Sequence, residues 1–341
     1  MLVLAGGVGS RFWPLSTPER PKQLLPLASD RPLIVDTVER ARALVPDERL
    51  RILAGEHLAA PFRSVLPDLP ASSYWIEPRA RGTAPVLAWA AWRLARLDPD
   101  AVMVSLHSDH LIRPLQSFRE SVELAAALAR REGLLLSIGA RPDRPDTAYG
   151  YLEPGGSLGG TGNVVAHLVK AFHEKPDAAT AARYVEQGHF WNTGIFVWKA
   201  VVLLEEIARH APEIAEHLPL LDRGDEPFFD AVPVCVIDRA IMERSERVGM
   251  VGAAFDWDDV GGWESLSRTR QADADGNVVV GDAHVVHARD NIVYADQGSV
   301  VLYGTEGLVV VRAKDTTLVV PRDMAGDLKR LLASLDAREQ S

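Results

Sequence analysis

Leu2-Val3-Leu4-Ala5-Gly6-Gly7-Val8-Gly9-Ser10-Arg11 stands near the start of the chain, followed by Trp13-Pro14-Leu15 and Pro21-Lys22-Gln23. The first four of these residues are apolar and read as a strand, and the glycines after them read as a loop. Without a Cβ, glycine lets backbone N–H groups approach phosphate oxygens closely, and nearby cations neutralise the charge brought in. Arg11 and Lys22 supply those cations. A Walker A loop would need Gly-Lys-Ser/Thr opening a helix, and this stretch holds no Gly-Lys pair. A dinucleotide fingerprint would need a third glycine where Phe12 stands. The opening is therefore a strand feeding a phosphate-handling loop of another kind.

Working outward, short β-type runs alternate with helical patterns as far as residue 140. The strands read are Leu2–Ala5, Arg51–Ala54, Ser73–Ile76, Ala101–Leu106 and Leu134–Ala140. Helical patterns fall near Leu33–Leu44, Leu58–Val65, Ala84–Leu97 and Ser117–Arg131. Such alternation predicts an α/β domain with a mostly parallel central sheet and helices on both faces, Rossmann-like in outline. Ligands of such sheets gather at the carboxyl ends of the strands. The opening loop, Glu77-Pro78 and His107-Ser108-Asp109 each follow a strand and so line one crevice.

Between residues 145 and 270 the pattern is mixed, with strands near Val164–Phe172, Ile195–Val197 and Val248–Val251 and helices near Ala178–Gln187, Val201–Arg209 and Gly262–Arg270. After Asp273-Ala274-Asp275-Gly276-Asn277 valine-rich runs crowd together: Val278–Val280, Val285-Val286, Ile292–Tyr294, Val300–Tyr303, Leu308–Val311 and Thr317–Val320. They predict a small all-β module, solenoid-like, closed by a helix at Asp327–Leu335 and serving packing or dimerisation rather than chemistry. The expected division is a catalytic domain over 1–272 and the β-rich module over 273–341.

With 341 residues, 47% apolar and 25% charged, the composition is that of a soluble globular protein. A net charge of −10 argues against a nucleic-acid partner, so positive charge must be gathered locally, as in the opening loop. Cys235 is the single cysteine and lies in the apolar run Val234–Ile237, which excludes an internal disulfide and fits a buried, inert thiol. No apolar run approaches membrane-spanning length and no signal peptide precedes the first strand, so no membrane partner and a cytoplasmic location are expected.

Seven constellations, the opening loop among them, can carry chemistry. Besides the opening loop, Ser108-Asp109-His110 ends an apolar strand, where a carboxylate is placed to hold a hard cation. His107 and His110 invite a transition-metal reading that no further Cys or His cluster supports. Phe255-Asp256-Trp257-Asp258-Asp259-Val260-Gly261-Gly262-Trp263 carries acids between tryptophans, and a nucleotide-bound Mg²⁺ needs one or two such carboxylates. Asp109 with Asp259 would suffice, and Asp258 could replace its neighbour. Glu174-Lys175-Pro176 offers a fixed point charge, and Trp191-Asn192-Thr193-Gly194 an amide, for a phosphorylated sugar. Glu77–Pro85 combines a carboxylate for a base edge with a helix N-terminus, and Thr147–Tyr151 is a turn whose Gly150 permits close approach.

Together these segments, from Leu2 to about Pro321, resemble the mannose-1-phosphate guanylyltransferases within the sugar-phosphate nucleotidyltransferases. The resemblance implies a nucleotide-diphospho-sugar transferase fold with a small C-terminal β module. It implies the reaction of GTP with mannose 1-phosphate to give GDP-mannose and pyrophosphate, with Mg²⁺ as cofactor and no dedicated general base. Carried over by motif, Arg11 and Lys22 hold the triphosphate and the departing pyrophosphate, and Asp109 and Asp259 bind Mg²⁺. Lys175 holds the sugar phosphate, while Gly150, Glu174 and Asn192 meet the sugar. Leu4, Ala5, Gly6, Gly7, Gly9, Ser10, Glu77, Arg81, Thr83, Ala84 and Ser108 surround the nucleotide. Gly82 stands where the family has Asn, Ala148 replaces a Gly, and Asp258 and Gly262 replace small hydroxyl residues. The extra isomerase domain of longer relatives is absent from this sequence. The same chemistry on a heptose or glucose 1-phosphate, and a non-catalytic nucleotide-sugar sensor, are the alternatives, and a homodimer is compatible with all three.

Overall fold

Strand β1 (Leu2–Leu4) lies at the heart of a nine-stranded sheet, flanked in parallel by β2 (Arg51–Gly55) and β4 (Val102–His107). Its alternation sorts the core: Leu2 and Leu4 face one way, Val3 and Ala5 the other. Both faces are buried, as an apolar run without polar alternation requires. On the first face lie α3 (Thr83–Leu97), α6 (Ala200–His210) and α8 (Asp225–Ala231). On the second lie α1 (Leu33–Arg42), α2 (Glu56–Val65) and α4 (Leu115–Glu132). The computed structural model describes residues 1–7 and 9–339. Val8 of the opening loop, and Gln340 and Ser341 of the expected 273–341 module, lie outside the described residues.

The remaining strands of this sheet are β3 (Tyr74–Glu77), β6 (Leu135–Ala140), β7 (Tyr151–Thr161), β8 (Val164–His173), β9 (Phe190–Lys199) and β10 (Val248–Gly252). Their order is β3-β2-β1-β4-β9-β6-β10-β8-β7, with β7 also touching β9. The β3-β2-β1-β4 part is parallel, as is the β6–β10 pair, and β9 runs antiparallel to both of its neighbours. The sheet is thus mixed, an α/β sheet covered on both faces with an antiparallel insertion. The hairpin β7–β8 includes a strand where the sequence pattern reads as loop, because Pro154, Gly155, Gly156, Gly159 and Gly160 are turn residues. Register shifts along the pairing absorb them, which a strand at the sheet margin tolerates.

Helix α5 (Ala178–Glu186) joins β8 to β9, its N-terminus capped by Asp177 accepting from the Thr180 N–H at 2.8 Å. A short α7 (Pro212–Ala215) follows α6, and a π-helical turn spans Asp238–Met242. A separate two-stranded ribbon pairs β5 (Leu111–Arg113) with β11 (Asp256–Asp258), an extended element the sequence does not reveal. The helix expected at Gly262–Arg270 is instead a tight turn over Trp263–Ser265 and the short α9 (Leu266–Thr269).

The last sheet comprises β12 (Val278–Val286), β13 (Ile292–Tyr303), β14 (Leu308–Ala313) and β15 (Thr316–Pro321), followed by α10 (Leu328–Glu339). The paired runs Val278–Val280 and Val285-Val286 are one strand, bent by a bulge at Gly281, where φ is +86° and a Cβ would meet the Ala295 carbonyl at 2.0 Å. Likewise Ile292–Tyr294 and Val300–Tyr303 are one strand. Parallel stacking of β12 on β13 and β13 on β14 makes the coil of a solenoid. Its inner residues Val278, Ile292, Tyr294, Val309 and Val311 pack against Phe12, Leu25 and Trp263 of the preceding domain. Among the described residues no helix is long and apolar enough to cross a membrane.

Candidate active site

The opening loop folds over the carboxyl end of β1 and is held there by residues just downstream. Gln23 donates its Nε2 to the carbonyls of Gly6 at 2.8 Å and Gly7 at 3.1 Å, and Ser16 Oγ donates to the Gly9 carbonyl at 2.7 Å. With these carbonyls held by the protein, the loop has backbone N–H groups to offer an anion. Gly9 has φ +71°, and a Cβ there would lie 2.4 Å from Lys22 Cβ, so only glycine lets the lysine pass.

Lys22 is buried, and its Nζ donates to the Asp259 carbonyl at 2.7 Å and pairs with Asp109 Oδ2 at 2.9 Å. Arg11 remains exposed and donates to the Gly261 carbonyl at 3.3 Å. Gly6, Gly7, Gly9, Ser10, Arg11, Lys22, Asp109 and Asp259, expected from three distant segments of sequence, line one cavity of about 250 Å³ with Phe12, Gln23 and Gly261. Of the neighbouring acids, Asp259 lines the cavity. Asp258 is turned away, its carboxylate accepting from the Val260 N–H at 2.7 Å and pairing with Arg268 at 2.6 Å.

Burial works against the charge of Asp109, but the Lys22 ammonium overrides it and holds the carboxyl at about 2. Burial pushes Asp259 up, Lys22 pulls against that shift, and Asp258 and Asp109 add to it as like charges. The same burial lowers His107 and takes His110 well below the usual imidazole range, so both rings are neutral at pH 7. His107 and His110 stack at 4.7 Å, and Trp257 Nε1 donates to His110 Nδ1 at 3.1 Å. Tyr149 OH donates to Asp259 Oδ1 at 2.8 Å, and burial beside that carboxylate raises the phenol.

Tyr149 leads into a second cluster. Gly150 lies against Glu174, whose Oε2 would be 2.7 Å from a Cβ there, and Glu174 pairs with Lys175. Asn192 Nδ2 donates to Asp238 Oδ1 at 2.8 Å while its Oδ1 accepts from Ser137 Oγ at 2.8 Å. Loss of solvent, reinforced by Glu174, pushes Asp238 up to about 6. All four expected sugar-side residues, Gly150, Glu174, Lys175 and Asn192, thus fall in this cluster, which begins at the residue after Tyr149.

The other expected nucleotide residues have structural engagements. Leu4 and Ala5 are buried in the strand end, and the buried Ser108 donates its N–H to the Leu4 carbonyl at 3.0 Å. Glu77 accepts from the Arg81 N–H at 3.1 Å, and burial raises its carboxyl. Arg81 donates to the carbonyls of Phe229 at 2.6 Å and Asp230 at 3.1 Å, so its guanidinium is a staple to α8. Thr83 Oγ1 accepts from the Ile237 N–H at 2.9 Å, and the Ala84 N–H donates to the Cys235 carbonyl at 3.2 Å. Gly82, with φ +84°, is pressed against that same carbonyl, where a Cβ would come within 2.3 Å. Arg81, Thr83 and Ala84 are therefore tied to the 229–237 segment and do not line the loop's cavity.

Gln23, Tyr149 and Asp238 join the site without having been expected from the sequence. Gln23 and Tyr149 sit inside the motifs but carry no charge to single them out. Asp238 is one acid in the largely apolar stretch Val236–Met242, and a lone carboxylate in such a stretch is the signal that could have found it.

A model of the nucleotidyl transferase family matches residues 1–276, and one described as a mannose-P isomerase/GMP-like β-helix domain matches residues 276–335. The chain is 33% identical over 353 residues to a mannose-1-phosphate guanylyltransferase of Escherichia coli, with 100% of this chain and 74% of that protein covered. It is 33% identical over 358 residues to the alginate biosynthesis protein AlgA of Pseudomonas aeruginosa, covering 100% of this chain and 73% of that one. A solved structure from Thermus thermophilus, described as a mannose-1-phosphate geranyltransferase, is 34% identical with a TM-score of 0.89, covering 98% of each chain.

Proposed function

The chain belongs to the nucleotidyl transferase family, with similarity along the whole of this chain to mannose-1-phosphate guanylyltransferases, and from that premise we propose that it joins GTP and mannose 1-phosphate into GDP-mannose and pyrophosphate. The observation that carries this reading is Lys22, held between Asp109 and the Asp259 carbonyl at the floor of the glycine-lined cavity. A fixed ammonium beside a glycine loop suits a polyphosphate, and the carboxylates opposite suit the cation that accompanies one.

Asp109 and Asp259 fit Mg²⁺: both offer hard oxygen donors to the same cavity, and the burial of each leaves negative charge that a cation relieves. When bound there, Mg²⁺ would supply Lewis-acid charge neutralisation at the phosphates. The residues of the chain do the rest. A sugar phosphate with a second pKa of about 6 is already largely dianionic at neutral pH, so it attacks without a general base. The glycine loop and Arg11 fix the triphosphate, and Lys22 neutralises the charge that grows on the departing pyrophosphate. Glu174, Lys175, Gly150 and Asn192 hold the sugar phosphate in line with the α-phosphorus, which converts binding into alignment. Tyr149 ties the two halves together through Asp259.

Pyrophosphate release by the purified protein, with each nucleoside triphosphate and each of several sugar 1-phosphates, tests the reading. Release that is fastest with GTP and mannose 1-phosphate is expected. Preference for glucose or a heptose 1-phosphate would move the substrate and keep the chemistry, and no release with any pair would overturn the proposal.

A further inference from the structure

On the sheet margin away from the cavity, three strand neighbours bring together side chains that the reaction does not use. The β7–β8 register sets Tyr151 opposite His173 and Glu153 opposite Ala171, and the β7–β9 register sets Tyr151 opposite Trp191. Because side chains alternate along a strand, Glu153 and His173 project from the same face, and so does His189, two residues before Trp191. The ligand atoms of Glu153, His173 and His189 all lie within 4.8 Å of one another. His189 is only 5% exposed, and its buried Nδ1 has no hydrogen-bond partner. A buried imidazole nitrogen left without a partner is uncommon and invites a ligand. Tyr184 of α5 closes the cluster, stacking on His173 at 4.7 Å and on His189 at 4.6 Å.

We propose that Glu153, His173 and His189 form a second metal site, one for a divalent transition ion of the zinc class. Two imidazoles and one carboxylate are a ligand set that such ions take, at about 2.0–2.2 Å with a fourth position open to water. Mg²⁺, which prefers oxygen donors and octahedral geometry, is not a competitor there. Closing the set around an ion requires Glu153 to release Lys170, which it holds at 2.5 Å. The lysine is 70% exposed, and an exposed pair of that kind is weak enough to exchange. The ion would clamp the β7–β8 hairpin to the turn before β9. It would do so at the residue that immediately precedes Glu174 and Lys175 in the chain.

The test is titration of the chelator-stripped full chain with Co²⁺ and then Zn²⁺, in excess Mg²⁺, read by visible absorption and by thermal denaturation. One equivalent of Co²⁺ giving a tetrahedral-type spectrum, displaced by Zn²⁺, and a rise in melting temperature with Zn²⁺ are expected. In Glu153→Gln and in His189→Ala the affinity should fall by about tenfold or more and the thermal shift should vanish. Glu153→Gln preserves shape and should melt like the wild type without metal, which keeps the test valid if His189→Ala folds poorly. Asp109→Ala should retain the Co²⁺ spectrum, since the His107–Asp109–His110 group lies elsewhere. The proposal is overturned by no Co²⁺ binding, by equal binding in wild type and Glu153→Gln, or by loss of the spectrum in Asp109→Ala instead.

Discussion

Lys22 is shared between Asp109 and Asp259, residues that reach it from two distant segments of the catalytic domain. Lys22→Ala should therefore lower turnover by about 10²–10³-fold or more while circular dichroism stays that of the wild type, the size expected for removing a preorganised charge. Asp109→Ala should do the same. Asp238 makes a different prediction. Its carboxyl titrates at about 6 in the fold against an ordinary value of 3.8, so the folded state binds the extra proton between those values. Stability therefore falls as pH rises through that window, and above it the ionised buried group costs at most about 3 kcal/mol. Asp238→Asn removes that cost while Asn192 keeps an acceptor. Relative to wild type, the variant should gain stability from about pH 4 to about pH 7 in denaturant melts. A constant difference across that range would show that Asp238 titrates normally.

At the scale of elements, the glycine loop is shaped by its neighbours as much as by its glycines. Gln23 holds two of its carbonyls, so Gln23→Ala should raise the KM for the nucleotide several-fold with a small change in melting temperature, about 1–2 kcal/mol of hydrogen bonding being lost. This loop, β1 to β4 and the first four helices are readable from the sequence because each is a one-period pattern bounded by glycine or proline. The hairpin β7–β8 is only half readable, since Pro154 and four glycines disguise a strand that its partners enforce. β11 is invisible because its pairing with β5 joins segments far apart in the chain. Site residues show the same division. Charged groups in motifs, such as Arg11, Lys22 and Asp109, stand out, and the cavity gathers them. Arg81 and Thr83 stand out too, yet they are tied to carbonyls and amides of the 229–237 segment, contacts that no local pattern encodes.

Across the whole molecule, the C-terminal solenoid is a buttress for the glycine loop. Trp263 is fully buried, meets Phe12 edge-on at 5.1 Å, donates Nε1 to the Trp13 carbonyl at 3.1 Å and leans on Tyr294 of β13 at 5.6 Å. Arg20 and Asp296 bridge the two parts with two bonds of 2.8 and 2.9 Å. Trp263→Ala should destabilise the protein by about 3–5 kcal/mol, the usual loss for a buried aromatic, and should weaken nucleotide binding in the fraction that remains folded. Asp296→Ala, on a less buried pair, should affect binding more than melting.

The contacts that finish the loop span Lys22 to Asp259, Arg11 to Gly261 and Trp263 to Trp13, sequence separations of 237, 250 and 250. A ribosome adding about 5–20 residues per second leaves some tens of seconds between making one side of these contacts and making the other. During that interval the parallel strands can pair and Asp109 can reach Lys22, but the lysine lacks the Asp259 carbonyl and the loop lacks its contacts with Gly261 and Trp263. Nucleotide-binding competence should therefore arise in a single late step of synthesis, when the segment around Trp263 clears the ribosome.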